Sequence, residues 1–139
     1  MKITIGSDHA GVEYKSEIVE FLEKEGHQVL DVGTHGNESV DYPDYAHRVA
    51  EEVLAGANFG VLICGSGNGV SMAANKHKGI RAALCWSEEI TKLARQHNDA
   101  NIVSIPARFM SLETSIQIIK TFLTEPFEKG RHQRRVQKI

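Results

Sequence analysis

The ten residues at positions 61–70, VLICGSGNGV, carry the clearest structural signal in the chain. The first four are uninterrupted apolar residues, which is the pattern of a strand buried on both faces of a parallel sheet. Glycines then alternate at positions 65, 67 and 69, and residues 70–75 continue with the pattern of a helix. A glycine loop between a strand and a helix lets backbone N–H groups converge on an anion. A tight turn that binds nothing is the alternative interpretation.

The spacing of these glycines differs from that of two familiar nucleotide-binding loops. A dinucleotide-binding fingerprint would need a glycine at position 70, where the chain has Val70. A Walker A loop would need Gly-Lys followed by Ser or Thr, and no such sequence follows. A dinucleotide-dependent oxidoreductase is therefore disfavoured.

Short apolar runs alternate with amphipathic stretches on both sides of this segment. The apolar runs predict five strands, at 3–5, 28–32, 61–64, 81–85 and 102–105. The amphipathic stretches predict helices at 13–25, 44–54, 70–75, 88–96 and 112–123. This alternation predicts a doubly wound, Rossmann-like α/β fold, in which a five-stranded parallel sheet lies between two helix layers. We expect a single three-layer domain over residues 1–139, ending in a basic helix or tail at about 127–139.

Charge is distributed unevenly along the chain. The 16 Lys and Arg residues and 18 Asp and Glu residues give a net charge of -2, which argues against a nucleic-acid surface. Five of the basic residues, and no acidic one, lie between Lys129 and the C-terminus, so the first 128 residues carry a net charge of -7. A basic end on an acidic body predicts an anionic ligand or partner at that end.

Length and composition exclude several other classes of protein. A chain of 139 residues is enough for one domain, and no apolar run approaches the roughly 20 residues of a membrane span. Lys2 leads directly into a strand-like run, so no signal peptide is expected. Two cysteines, Cys64 and Cys85, are too few for a disulfide scaffold. We therefore expect a cytoplasmic, reducing location.

Ligands of doubly wound sheets bind beyond the carboxyl ends of the strands, where the chain places polar residues. Asp8 and His9 follow the first predicted strand, and Cys64 ends the third. A thiol that faces converging N–H groups should have a lowered pKa and act as a base or nucleophile. The alternatives are a helix-capping role for Asp8 and a purely structural role for Cys64. Cys85 ends a strand without a glycine loop and is expected to be structural.

Other candidates lie further along the chain. His97 and Asn98 end a predicted helix. The alternative to a functional role is that His97 only interacts with the helix C-terminus. Arg131 and Arg135 are spaced i, i+4 and predict a phosphate-binding helix face, with a solvated terminal helix as the alternative. Arg108, after the fifth strand, is a further phosphate candidate. Four histidines have no metal-ligand spacing and are read as surface or packing residues: His27, His35, His47 and His77.

Seven motifs occur in a fixed order along the chain. They are GSDHAG at 6–11, DYPDYA at 41–46, CGSGNG at 64–69, AANK at 73–76, GIRA at 79–82, RQHNDAN at 95–101 and GRHQRRV at 130–136. Each motif alone is weak evidence, but together they resemble the ribose-5-phosphate isomerase type B family over essentially the whole chain. That family includes isomerases of galactose 6-phosphate and allose 6-phosphate.

The resemblance implies a cofactor-free aldose–ketose isomerase. Its expected reaction interconverts D-ribose 5-phosphate and D-ribulose 5-phosphate through an enediolate, in the pentose phosphate pathway and without a metal ion. It also implies a homodimer with shared active sites, or a tetramer, with no nucleic-acid or membrane partner. Two alternatives stay open: the same chemistry on a six-carbon aldose 6-phosphate, and a non-catalytic module that binds a sugar phosphate.

The resemblance also implies a role for each catalytic residue. Cys64 is the expected general base that moves a proton between C1 and C2, and the Ser66 hydroxyl polarises the substrate. The N–H groups of the glycine loop stabilise the enediolate. His97 opens the sugar ring and then acts as general acid. Some members of the family use instead a glutamate just after the loop, but Val70 occupies that position here, which leaves Cys64 as the base.

Substrate and phosphate contacts are implied at further positions. The expected substrate-binding residues are Asp8, His9, Tyr42, Gly65, Gly67, Asn68, Gly69 and Asn98. The expected phosphate-binding residues are Arg108, Arg131, His132 and Arg135.

Overall fold

A computed structural model describes all 139 residues of the chain. Its five strands are β1 (Lys2–Ser7), β2 (Gln28–Asp31), β3 (Phe59–Cys64), β4 (Ala82–Leu84) and β5 (Ile102–Pro106). Its six α-helices are α1 (Val12–Lys24), α2 (Tyr42–Leu54), α3 (Asn68–Ala74), α4 (Glu88–Asn98), α5 (Leu112–Thr124) and α6 (Arg131–Val136). A short 3₁₀ turn, His9–Gly11, joins β1 to α1.

The strands form one parallel sheet in the order β2-β1-β3-β5-β4. Each connection between parallel strands has to run back along one face of the sheet. The helices of these connections lie on different faces, so both faces are covered. The α/β, three-layer fold predicted from the sequence is therefore confirmed, including the number and direction of the strands. No helix is long and apolar enough to cross a membrane.

The apolar core is divided by the sheet into two layers. On one face, Ile3 and Ile5 of β1 pack with side chains of α1, α4 and α5, among them Leu22 and Phe122. On the other face, Leu62 and Ile102 pack with residues of α2 and α3. Strand β3 contributes to both layers, with Val61 and Ile63 on one face and Leu62 and Cys64 on the other, which explains why the run at 61–64 contains no polar residue.

Several element boundaries differ from those expected. Helix α2 begins at Tyr42, two residues before the predicted start, because Pro43 is tolerated in a first turn whose N–H groups need no partner within the helix. Helix α3 begins at Asn68, inside the glycine loop, after Gly67 turns the chain with a φ of 74°. Helix α4 continues to Asn98, so that His97 lies in its last turn.

The edge of the sheet at the carboxyl ends of β1 and β3 is a topological switch point. The chain leaves β1 toward α1 on one face of the sheet and leaves β3 toward α3 on the other. The two connections diverge, and a crevice opens where adjacent strands lead to opposite faces. Asp8 and the glycine loop lie at this crevice.

Candidate active site

Cys64 and Asp8 lie side by side at the carboxyl edge of the sheet. Ser7 pairs with Ile63 in the β1–β3 register, which places the next residue of each strand opposite the other. The Cys64 thiol donates a hydrogen bond of 3.1 Å to Oδ2 of Asp8. Both side chains are buried, so the bond is shielded from water. Asp8 also accepts from the Ala10 N–H at 3.0 Å, so the capping role considered from the sequence exists beside its contact with the thiol.

The prediction that Cys64 has a lowered pKa is wrong. Burial raises the pKa of this thiol to about 11, and the hydrogen bond to Asp8 and its negative charge add to the increase. The N–H groups of Gly67 and Gly65 act in the opposite direction and lower the pKa, but they do not prevail. The sequence argument omitted the carboxylate, which stabilises the protonated thiol by accepting its hydrogen.

The glycine loop presents unpaired N–H groups at the same edge. No backbone carbonyl accepts from the N–H of Gly65, Ser66, Gly67 or Gly69. The N–H groups of Gly65 and Gly67 point to the Cys64 sulfur. At Gly67 a side chain would be strained by the positive φ, and its Cβ would lie 2.6 Å from Leu84. The loop is thus held as a set of donors around the thiol, which is the arrangement that stabilises a developing oxyanion.

Three more predicted residues surround this loop, and two lie on it. The ring of Tyr42, the first residue of α2, lies against Gly69, where any side chain would collide with it. Arg108 places its guanidinium over Gly65. The backbone N–H of Arg108 donates to the Gly65 carbonyl at 3.1 Å. His9 accepts from the N–H of Val40 at 3.4 Å. Ser66 and Asn68 are exposed on the loop itself.

A second group of predicted residues lies at the other edge of the sheet. Helix α4 runs back from the end of β4 to the start of β5, so that His97 and Asn98 lie at the amino ends of the strands. Arg81, just before β4, donates to the Asn98 carbonyl at 2.9 Å and confirms this placement. Helix α6 packs on α4, and its buried His132 stacks on His97 with ring centroids 4.1 Å apart. Burial, His97 and Arg131 lower the pKa of His132.

The two groups do not meet within one chain. The first contains Asp8, His9, Tyr42, Cys64, Gly65, Ser66, Gly67, Asn68, Gly69 and Arg108, and the second contains His97, Asn98, Arg131, His132 and Arg135. Strand β5 alone separates the edges by about 13 Å, at about 3.3 Å per residue. Arg108 therefore does not lie with Arg131 and Arg135 in one chain, so a phosphate site that uses all three would take them from two copies of the chain. A helix that returns the chain to the next parallel strand necessarily ends at the opposite edge.

Sequence reasoning missed Glu128, which faces both histidines of the second group. Its Oε2 lies 3.7 Å from Nε2 of His132 and 4.0 Å from Nε2 of His97. The i, i+4 spacing of Glu128 and His132 was the available signal, but the segment before α6 has no helical pattern that would have suggested contact. A hydrogen bond from the Glu128 N–H to the Gln96 carbonyl, 3.0 Å long, holds this segment on α4.

The largest surface cavity lies apart from both groups. It has a volume of about 660 Å³ and runs along α5, where Glu88, Leu112, Gln117 and Lys120 are among its lining residues. None of the predicted site residues contributes to it. The cavity offers no thiol or imidazole for proton transfer, so the carboxyl edge, which holds Cys64 and the glycine loop, is the candidate active site.

Substitution of Asp8 by asparagine is expected to lower the pH at which Cys64 becomes reactive. Asparagine keeps an oxygen for the Ala10 N–H but removes the charge that holds the proton on the thiol. Iodoacetamide alkylation of each cysteine is followed by mass spectrometry as a function of pH. We expect the midpoint for Cys64 to lie about one pH unit or more below that of the wild-type protein.

Cys85 is the internal control for this measurement. Burial also raises its pKa to about 11, but no carboxylate contributes, so its alkylation profile should be the same in both proteins. An unchanged Cys64 profile in the Asp8→Asn variant would contradict the role assigned to the Cys64–Asp8 hydrogen bond.

Comparison with known proteins agrees with this geometry. The family model described as Ribose/Galactose Isomerase matches residues 3–139. The probable ribose-5-phosphate isomerase B of Mycoplasma pneumoniae is 49% identical, over 99% of this chain and 91% of its own. A crystal structure of a ribose 5-phosphate isomerase from Thermotoga maritima superposes with a TM-score of 0.97 at 49% identity, covering 99% of this chain and 95% of that one. The ribose-5-phosphate isomerase B of Mycoplasma genitalium, solved with bound ribulose-5-phosphate, superposes with a TM-score of 0.94 at 45% identity, covering 98% and 91%. The strand order, the glycine loop after β3 and these similarities together place the chain in the ribose/galactose isomerase family.

Proposed function

We propose that the protein interconverts D-ribose 5-phosphate and D-ribulose 5-phosphate, a reaction of the pentose phosphate pathway, with the whole chain acting as one isomerase domain. The observation that carries this proposal is the juxtaposition of the Cys64 thiol with the free N–H groups of the glycine loop. Moving a proton next to a carbonyl requires a base and, beside it, donors for the oxyanion that develops. Binding alone would need only the donors. The relatives named as ribose-5-phosphate isomerases support the choice of substrate.

The reaction follows from these positions without a cofactor. The Cys64 thiolate takes the proton from the carbon next to the carbonyl, and the electron pair of that C–H bond forms the enediolate. The N–H groups of the glycine loop, with the Ser66 hydroxyl, stabilise the negative oxygen. The proton of the second hydroxyl then moves to the first oxygen as Cys64 returns its proton to the carbon that had carried the carbonyl, which leaves the carbonyl on the neighbouring carbon. Before these steps, the imidazole of His97 donates a proton to the ring oxygen as the ring C–O bond breaks, and it regains a proton from the anomeric hydroxyl as the carbonyl forms.

Asp8 links substrate binding to the state of the thiol. Its carboxylate holds the thiol proton through the 3.1 Å hydrogen bond. A sugar hydroxyl that donates to the same carboxylate would compete with the thiol for its oxygens. Losing that hydrogen bond lowers the pKa of Cys64, so the base becomes available when the substrate is bound. Asp8 thus serves as a substrate-binding residue, assisted by His9 and Tyr42 at the same edge.

We further propose that the functional unit is a homodimer with shared active sites. His97 and Arg135 lie at the edge of the sheet opposite Cys64, so a site that uses all three needs two copies of the chain. Large apolar side chains beyond the carboxyl edge support this arrangement, because Trp86 after β4 and Phe109 after β5 are 58% and 78% exposed. Exposed aromatic residues near a functional edge are typical of subunit interfaces. A tetramer would pair two such dimers through a second surface.

The proposed location is the cytoplasm. Both cysteines are unpaired and buried, and the mechanism requires Cys64 as a free thiol. A reducing compartment keeps such a thiol available.

Substitution of Arg135 by alanine is expected to raise KM by about 10-fold or more with a smaller effect on kcat, because a charge-assisted phosphate contact is lost. Arg134→Ala is the matched control: it removes the same charge from the same helix α6, but at a position off the face shared by Arg131 and Arg135. Equal effects of the two substitutions would mean that the helix contributes only general positive charge.

A panel of aldose phosphates tests the proposed function as a whole. Ribose 5-phosphate, allose 6-phosphate and galactose 6-phosphate are assayed for ketose formation with EDTA present throughout. We expect the five-carbon substrate to have the highest kcat/KM. Preference for a six-carbon sugar would transfer the proposal to that substrate, and binding of ribose 5-phosphate without any turnover would identify a binding module. Loss of activity in EDTA would overturn the cofactor-free mechanism.

A further inference from the structure

His97, Glu128 and His132 form a cluster of three metal-ligand groups, here called the His–Glu–His cluster. One ligand atom from each residue lies within 4.8 Å of the other two. The contacts of Glu128 with the two histidines join its Oε2 to the Nε2 of each ring. The three residues come from the last turn of α4, the segment before α6 and the first turn of α6. Histidine and carboxylate ligands in this number are typical of a zinc site that keeps a fourth position open.

Hydrogen bonds do not account for the arrangement. The distances from Glu128 to the two imidazoles, 3.7 and 4.0 Å, are too long for hydrogen bonds. The two imidazole rings stack on each other, with ring centroids 4.1 Å apart and 11° between their planes. The Glu128 carboxylate therefore lies beside a stacked histidine pair without a hydrogen bond to either ring.

The separations of the ligand atoms are close to those around a small divalent ion. Nitrogen and oxygen ligands bind zinc at about 2.0–2.2 Å, so two ligands of a tetrahedral ion lie about 3.3–3.6 Å apart. Binding would draw the three atoms together by about 1 Å and turn one imidazole out of the stack, because the nitrogen lone pair that binds a metal lies in the plane of the ring. The backbone is already held, because Glu128 bonds to the Gln96 carbonyl and the His132 N–H donates to the Lys129 carbonyl, both at 3.0 Å.

We propose that the His–Glu–His cluster binds a divalent transition-metal ion of the zinc class and that this binding inhibits the enzyme. The inhibitory part rests on the proposed function, in which His97 transfers a proton to open the sugar ring. An imidazole nitrogen bound to a metal ion cannot accept or donate that proton. The ion would also lie beside Arg131 and Arg135, where it would alter binding of the substrate phosphate. Glu128 has no part in the proposed reaction, so it separates metal binding from catalysis.

Calorimetric titration with zinc chloride tests the binding part directly. The titration uses the full-length protein in a buffer without phosphate or chelator. We expect one zinc ion per chain in the wild-type protein and at least a tenfold weaker affinity in the Glu128→Gln variant. Because the His132 side chain is buried against α4, His97→Asn at the more exposed position provides the second ligand variant.

His77→Asn is the matched control for this titration. His77 and His47 form the other close histidine pair, with Nδ1 of His47 2.7 Å from Nε2 of His77. Zinc binding should be unchanged in this variant. Loss of binding in His77→Asn, equal binding in wild-type protein and both ligand variants, or no binding at all would overturn the proposed metal site.

The inhibitory part is measured separately as turnover of ribose 5-phosphate against zinc concentration. We expect zinc to inhibit the wild-type protein, EDTA to restore its activity, and Glu128→Gln to remain active at zinc concentrations that inhibit the wild type at least tenfold. Zinc binding at the cluster without loss of turnover would overturn inhibition. If the metal-free wild-type protein has no isomerase activity, the proposed function fails, whereas calorimetry still decides the metal site.

Discussion

Replacement of Cys64 by alanine is expected to lower kcat by about 10²- to 10⁴-fold, which is the usual contribution of a positioned general acid or base. Val70 stands at the position after the loop where a carboxylate would be the other available base. The unpaired N–H groups of the loop remain in the variant, so oxyanion stabilisation is kept while proton transfer is lost. Steady-state kinetics with ribose 5-phosphate measure the effect.

The fold and phosphate binding should survive this substitution. Cys64 lies at the end of β3 and contributes little volume to the core, and the phosphate contacts are assigned to other residues. Circular dichroism and binding of inorganic phosphate check both points. In the variant Asp8 loses its thiol partner but keeps the Ala10 N–H, so its carboxylate remains capped.

Cys85→Ala is the matched control for Cys64→Ala. Both cysteines are buried, both lie at the end of a strand, and burial raises the pKa of both. Cys85 lies in the apolar core with α5 and has no glycine loop beside it. We expect Cys85→Ala to keep kcat and to lose about 1 kcal/mol of stability. Near-normal turnover in Cys64→Ala, or equal loss in both variants, would contradict the assignment of the base.

Mixing two inactive variants is expected to restore activity, because the proposed site takes residues from two copies of the chain. Cys64→Ala and His97→Asn are each predicted to be nearly inactive as pure proteins. In a mixed dimer, one site carries both substitutions and the other carries neither. Random reassociation of equal amounts makes about half of the dimers mixed, which restores about one quarter of the wild-type sites.

Co-refolding of the two variants and kinetic assay of the mixture measure this result. Two controls bracket it: each variant refolded alone, and a mixture of Cys64→Ala with Asp8→Asn. Asp8 and Cys64 lie at the same edge of the chain. In a mixed dimer of this control pair, each of the two sites therefore carries one substitution, and no intact site results. Activity of the control mixture above the average of its two components, or no restoration in the test mixture, would contradict a site shared in the proposed way.

Local patterns in the sequence were sufficient for most of the fold. The apolar run at 61–64 predicted a central strand because a strand covered on both faces tolerates no polar residue. The apolar face of α5 followed from the spacing of Ile116, Ile119 and Phe122, because residues three positions apart lie on one side of a helix. The boundaries of α2 and α4 were less certain, since residues such as His97 are compatible with both a helix end and a loop.

The chemistry of Cys64 shows where local reasoning failed. The glycine loop adjacent in sequence indicated a lowered pKa, and its N–H groups do act in that direction. Burial and the carboxylate of Asp8 outweigh them, yet Asp8 lies 56 positions away in the chain. Only the pairing of β1 with β3 brings the two side chains together, and no spacing in the sequence reports that pairing.

The sequence by itself determined the fold class, the presence of the donor loop and the identity of the candidate residues, because each depends on the order of neighbouring residues. The tertiary structure alone decided how these residues are grouped. It placed Cys64 with Asp8, and it separated both from His97 and Arg135, because α4 carries the chain back to the amino ends of the parallel strands. That separation is a property of the sheet topology, and it is the physical reason for proposing two chains in one active site.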